Sequence, residues 1–88
     1  MSTLPVFVGL DYHPDLVQVT VVDRGGKQLL NRSCDNDWQQ IGKLVQPLGI
    51  VKRAAIEACC GAADLAEELS SKLGWQMDLG VTSFSGDT

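Results

Sequence analysis

The stretch VFVGLDYHPDLVQVTVVDRGGK, from Val6 to Lys27, decides the fold of this chain. It opens with an almost continuous apolar run, Val6 to Asp11, which is typical of a central strand buried on both faces. Leu16 to Asp23 then alternates apolar and polar residues and predicts a second strand. A Gly-Gly pair follows, as in a tight hairpin, so the chain should return as a third strand from Lys27 to Cys34. The first third of the chain therefore predicts an antiparallel meander.

The rest of the chain alternates helix and strand patterns. Asp35-Asn36-Asp37 offers N-caps for a helix whose apolar residues recur at helical spacing from Trp38 to Leu48. Val51 to Cys59 is a second apolar strand pattern. Gly61 to Gly74 then predicts a helix that begins and ends at glycine. Trp75 to Val81 predicts a fifth strand.

This order of elements favours an α/β fold with a mixed five-stranded sheet and two helices. The ribonuclease H-like (RuvC-like) arrangement is one natural solution, because its first three strands form a meander and its fourth lies parallel to the first. Flavodoxin-like folds lack the initial meander. We expect one domain over residues 1–81 and a polar tail over residues 82–88.

Composition limits the class of protein. The net charge is −4 and the pI is near 4.6, with seven scattered basic residues, so the chain should bind nucleic acid only weakly by itself. No apolar stretch approaches about 18 residues, so no membrane span is expected. The segment from Met1 to Pro5 lacks the basic region of a signal peptide, which indicates a cytoplasmic protein.

The three cysteines are expected to be reduced thiols. Cys59 and Cys60 are neighbours on a predicted strand and point to opposite faces, so they are poor disulfide partners. A zinc site that combines them with Cys34 and His13 is the alternative, but no CxxC spacing supports it.

Two carboxylates mark a candidate site. Asp11 and Glu57 stand at the ends of the first and fourth strands, and parallel neighbours place such ends at one edge of the sheet. Carboxylates held together repel each other unless a cation joins them, and Mg²⁺ prefers oxygen ligands. Alternatively, Asp11 caps a turn and Glu57 pairs with Arg53 or Lys52.

Two segments, VGLDYHPDLVQVTVVDRGGKQLLNR (8–32) and AAIEACCGAADLAEELSSKLGWQMDL (54–79), resemble the N-terminal catalytic region of the DEDD-type insertion-sequence transposases. This family includes the pilin-gene invertases. The resemblance covers about residues 6 to 80. The residues that meet the family's two motifs are Gly9, Leu10, Asp11, His13, Glu57, Ala58 and Gly61.

The resemblance implies a metal-dependent enzyme of DNA transposition and recombination, with a RuvC-like fold. It makes Asp11 and Glu57 the first two of four acids that hold Mg²⁺ for DNA cleavage and joining, with DNA and in some members a guide RNA as partners. The last two acids have no counterpart, since Asp87 lacks the expected context, and Cys60 replaces a hydroxyl residue. The resemblance therefore implies a truncated domain that is inactive alone.

Two other interpretations remain open. Actin-type sugar kinases and ATPases share this topology and place an Asp after the first strand, although DRGGK (23–27) only faintly echoes their phosphate-binding hairpin. The chain could also be a non-catalytic remnant that forms a homodimer through exposed sheet edges.

Overall fold

Strands and helices follow one another in the predicted order. The computed structural model describes residues 4–57 and 61–80. Its elements are β1 (Pro5–Tyr12), β2 (Leu16–Asp23), β3 (Gln28–Asp35), α1 (Trp38–Val45), β4 (Ile50–Glu57), α2 (Ala62–Leu73) and β5 (Met77–Gly80), with a 3₁₀ turn (Gln46–Leu48) after α1. The α/β class and the pair of helices are as expected.

The five strands form one mixed sheet in the order β3-β2-β1-β4-β5. β1, β2 and β3 are antiparallel neighbours, which confirms the predicted meander. β1 is also parallel to β4, and β4 is parallel to β5. In the β1–β4 register Leu10 lies opposite Ile56. The central position of β1 joins the meander to the parallel half of the sheet.

The turn between β2 and β3 is held by one carboxylate. Oδ1 of Asp23 accepts hydrogen bonds from the backbone N–H of Gly25 at 2.8 Å and of Lys27 at 2.9 Å. Gly26 has a φ of 88°, a conformation that glycine adopts without steric cost. Because Lys27 belongs to this turn, β3 starts one residue later than predicted.

Both helices begin where the sequence indicates, and α2 also ends there, but α1 ends at Val45, three residues before the predicted end at Leu48. Asp37 is the N-cap of α1, and its Oδ1 accepts a hydrogen bond from the backbone N–H of Gln39 at 3.1 Å. The last turn before β4 is a 3₁₀ turn with Pro47 in its first turn, where a residue without an N–H is tolerated. Gly61 and Gly74, both left-handed, flank α2.

The core lies on one side of the sheet. Val6, Val8 and Leu10 of β1 point into it, and both helices contribute to the same cluster. A Cβ on Gly42 of α1 would lie 3.1 Å from Leu73 of α2, so the helices pack side by side. The cluster's other large side chains that are fully buried are Val17, Val19, Val21, Ile41, Val45, Ile56 and Leu69.

The expectation that β1 is buried on both faces is wrong. Phe7 is half-buried and Gly9 is exposed on the face opposite the helices. The apolar run of β1 fits a two-sided strand, but both helices cover the same face, and no element within residues 4–57 and 61–80 covers the second face. This open side of the sheet carries the candidate site.

Parts of the predicted elements lie outside the described residues. These are the end of the fourth strand after Glu57, Val81 at the end of the fifth strand, and the polar tail over residues 82–88. Among the described helices, none has the length and hydropathy needed to cross a membrane.

We expect Gly49→Ala to destabilise the fold. A Cβ at Gly49 would overlap the carbonyl oxygen of Leu4, which accepts the backbone N–H of Ile50 at 2.9 Å. Separating these groups opens the start of the β1–β4 pair, and the loss should exceed about 1 kcal/mol of unfolding free energy in urea titrations. Gly9→Ala is the matched control, because its Cβ meets no atom within 4 Å. Equal stability of the two variants would contradict the assignment.

Candidate active site at the carboxyl ends of β1 and β4

The structure brings Asp11 and Glu57 to the same edge of the sheet. Each follows directly after a member of the Leu10–Ile56 pair in neighbouring parallel strands. Both carboxylates are exposed and line one open cavity of about 550 Å³. The other lining residues are Gly9, Leu10, Ala55, Ile56 and Asp78. The predicted juxtaposition of the two acids is therefore present in the fold.

Asp11 contacts the histidine that follows it. Nε2 of His13 lies 3.4 Å from Oδ2 of Asp11, and the two side chains are 52% and 60% exposed. Water screens such a pair, so the contact contributes little stability. The backbone of His13 is held in place, because its N–H donates to the Leu16 carbonyl at 2.9 Å and its carbonyl accepts from Nδ2 of Asn36 at 3.2 Å. The turn after β1 is thus anchored beside Asp11.

The alternative interpretation expected Arg53 to pair with Glu57, but Arg53 pairs with a different acid. Its Nε lies 2.6 Å from Oδ2 of Asp78, a residue that the sequence analysis did not single out. The register places Asp78 beside Ala55, on the open side of the sheet. The alternation of outward and inward residues along β5 could have indicated that Asp78 faces outward. Its place beside Ala55 depends on the pairing of β5 with β4 in the sheet. Asp78 thus adds a third acid to the cavity and neutralises the nearest cation.

Gly61 packs against a side chain from the end of β1. Gly61 begins α2, and a Cβ there would overlap the hydroxyl of Tyr12. The missing side chain therefore makes room for the Tyr12 ring. At Gly9, by contrast, the space above the backbone is open. The accessible floor of the site is formed by Gly9 and Ala55.

The acids suit a hard cation only in part. Within residues 4–57 and 61–80 no group of three His, Cys, Asp or Glu side chains is arranged to hold a metal ion. Asp11 and Glu57, which line the same cavity, would supply two carboxylate ligands to an ion bound there. Mg²⁺ is commonly bound by one or two carboxylates, with waters and substrate phosphates as its remaining ligands. The donor set fits that mode of binding.

Similarity to known proteins lies in the fold. No protein-family model matches the chain, and no curated protein matches it in sequence. A crystal structure of the Aquifex aeolicus member of the Ppx/GppA protein family has a TM-score of 0.58 at 13% identity, over 92% of this chain and 36% of that one. A Bacteroides thetaiotaomicron protein with an actin-like ATPase fold and unknown function has a TM-score of 0.64 at 12% identity, over 97% and 35%. The chain thus spans about a third of these neighbours.

These neighbours overturn the transposase interpretation. They are Ppx/GppA and actin-like ATPase-fold proteins, so the truncated transposase domain and the roles in DNA transposition and recombination are wrong. The DNA and guide-RNA partners followed from that resemblance alone. Its motifs, an Asp after the first strand and a Glu before a helix-opening glycine, arise wherever a fold of this topology places acids at strand ends. They are too general to identify a family.

Cys34 lies away from this site, on the core side of β3. Burial raises the pKa of its thiol, and the neighbouring charges of Asp35 and Asp37 raise it further. The other two cysteines of the zinc alternative, Cys59 and Cys60, lie outside the described residues.

The raised pKa of Cys34 predicts slow alkylation at pH 8. Its thiolate fraction should be smaller in the folded chain than in urea, so iodoacetamide should label it several-fold faster after unfolding.

The folded state also holds the Cys34 thiol proton more tightly than the unfolded state does. The thiol's contribution to the free energy of unfolding is therefore complete below its unfolded pKa, about 8.5. This contribution is lost as the pH rises through the pKa of the folded state. The loss should be smaller in Cys34→Ala. Equal labelling rates would refute the shift.

Proposed function

We propose that this chain is the cation- and phosphate-binding part of an actin-like phosphohydrolase, an ATPase or phosphatase. The observation that carries the proposal is the placement of Asp11 and Glu57 side by side at the carboxyl edge of β1 and β4. Ligands of open α/β sheets bind at this edge. The fold of the neighbours supports the same class, because they include a Ppx/GppA phosphatase and an actin-like ATPase-fold protein.

The proposal also covers the finer placement of the fold. The meander and the parallel β1–β4 pair suit a ribonuclease H-like topology, which actin-type ATPases share. Within that group, the similarity to the Bacteroides thetaiotaomicron protein favours the actin-like version.

Each side chain of the site has a proposed task. Asp11 and Glu57 would hold Mg²⁺, which neutralises phosphate oxygens and polarises phosphorus toward attack when it is bound. Gly9 and Ala55 keep the floor of the cavity low and leave room for a phosphate-bearing ligand. A volume of about 550 Å³ is in the range of small-molecule sites. Asp78 holds Arg53 at the side of the cavity.

Two carboxylates alone should bind the ion weakly. The described residues supply no third ligand and no cation free to stabilise a transferring phosphoryl group at the cavity. We therefore propose binding without appreciable hydrolysis for the 88-residue chain. The fitting test is ligand binding rather than turnover.

Manganese should bind at the paired acids. In a Mn²⁺ titration followed by amide NMR, we expect saturable broadening centred on Gly9 to Tyr12 and on Ala55 to Glu57. Asp11→Asn should abolish it, because one of the two ligands loses its charge. Glu68→Gln, on the exposed side of α2, is the matched control and should leave it unchanged. Broadening spread over surface acids and insensitive to Asp11→Asn would refute the cation site.

MgATP should stabilise the chain. At ten times its Kd the nucleotide adds about 1.4 kcal/mol, which raises Tm by about 5 °C or more in a domain of this size. The shift should vanish with EDTA and in Glu57→Gln, and persist in Glu68→Gln. Manganese broadening without any stabilisation by ATP or inorganic phosphate would leave a cation site and overturn the phosphate-binding role.

A further inference from the structure

An arginine stands at the rim of the candidate site. Nε of Arg53 lies 2.6 Å from Oδ2 of Asp78, which lines the cavity together with the two paired acids. Arg53 precedes the cavity floor at Ala55 by two residues along β4 and lies opposite the uncharged Phe7 of β1. Among the described residues that line the cavity, none is basic. Arg53 therefore brings a positive charge to a cavity whose wall has none.

The ion pair between Arg53 and Asp78 is accessible and easily separated. The two side chains are 57% and 47% exposed, so water and salt screen their attraction. Exposed pairs of this kind change an equilibrium constant by a factor of about five or less. A phosphate ester carries about two negative charges and three acceptor oxygens, more than a carboxylate offers. A phosphate group is thus the stronger partner for a guanidinium, and it can displace Asp78 at small cost.

The charge of the cavity explains why a phosphate needs this arginine. The cavity carries three formal negative charges at pH 7, on Asp11, Glu57 and Asp78. One Mg²⁺ would offset two of them, and Arg53 offsets the third, so an anionic ligand then meets a neutral site. Within the described part of the chain no group of three acids is arranged to hold a metal ion. Asp78 instead contacts the cation that an anionic ligand requires.

We propose that Arg53 binds a phosphate group of the ligand and that Asp78 competes with this phosphate for Arg53. The inference rests on the phosphate-binding role proposed above and adds two residues to that site. Arg53 is a binding residue, because its guanidinium contacts the phosphate. Asp78 is a positioning residue, because it holds Arg53 at the rim in the absence of ligand and thereby lowers the affinity of the site.

A purely structural role for the pair makes a different prediction. Arg53 and Asp78 stand on the neighbouring strands β4 and β5, so their attraction also supports the pairing of these strands. If this were their whole role, replacing either residue would lower the free energy of unfolding and leave the Kd of the ligand unchanged. Competition predicts instead that the two replacements change the Kd in opposite directions.

The test measures the Kd of inorganic tripolyphosphate in excess Mg²⁺ by amide NMR of the ¹⁵N-labelled chain. We expect Asp78→Asn to bind tripolyphosphate about two- to fivefold more tightly than the native chain, because Arg53 is then free for the phosphate. Arg53→Gln should bind it about fivefold or more weakly, because charge-assisted hydrogen bonds are lost. Amide spectra of α2 and β5 verify that each variant is folded.

Two control variants remove the same charges elsewhere. Lys52→Gln removes a cation from the exposed residue next to Arg53, and Glu68→Gln removes an acid from the exposed side of α2. In about 0.1 M salt the screening length is about 10 Å, so distant charges contribute little. Both controls should therefore keep a Kd within about twofold of the native value.

The double variant separates competition from simple charge repulsion. Asp78→Asn also removes a negative charge from the cavity, which by itself favours any anion. Competition predicts that most of the gain disappears when Asp78→Asn is made in the Arg53→Gln chain, since no guanidinium remains to be released. Repulsion alone predicts an equal gain in both backgrounds.

The outcomes separate this inference from the proposed function. If neither the native chain nor Asp78→Asn binds tripolyphosphate, the phosphate-binding role and this inference are both wrong. If the native chain binds it and Asp78→Asn binds it equally or more weakly, competition is wrong and the phosphate-binding role stands. A gain that persists in full in the Arg53→Gln chain also overturns the competition alone.

Discussion

The parallel pairing of β1 with β4 is the contact on which the remaining structure depends. It joins the meander to the helix-connected half of the chain and sets the register that places Leu10 beside Ile56. Through that register Asp11 and Glu57, far apart in sequence, reach the same edge. The crossover through α1 that such a pairing needs also places this helix over the buried valines of the sheet.

Both helices cover one face of the sheet, and the candidate site lies on the other face. Both helices bury the same side, so the residues between the core positions, Gly9 and Ala55 among them, face outward. Their small size makes the floor of a cavity whose rim carries three acids. This exposed surface therefore provides room for a small ligand.

Resemblance at strand ends is a weak guide to family. Asp11 near the end of β1 and Gly61 before α2 are residues that this topology favours, because strand ends gather ligands and Gly61 makes room for Tyr12. Proteins with different activities can share both features. The whole arrangement of strands and helices is instead similar to that of a Ppx/GppA protein and of a protein with an actin-like ATPase fold.

The sequence by itself determined the order of the elements, the Asp23 turn, the Asp37 cap and the glycines that flank α2. These features depend on interactions within a few residues, which local chemistry dictates. The tertiary structure alone decided that β1 is covered on one face, that Arg53 pairs with Asp78 and that Tyr12 packs on Gly61. Each of these contacts joins distant segments, and its partner depends on how the helices and strands pack together rather than on any local pattern.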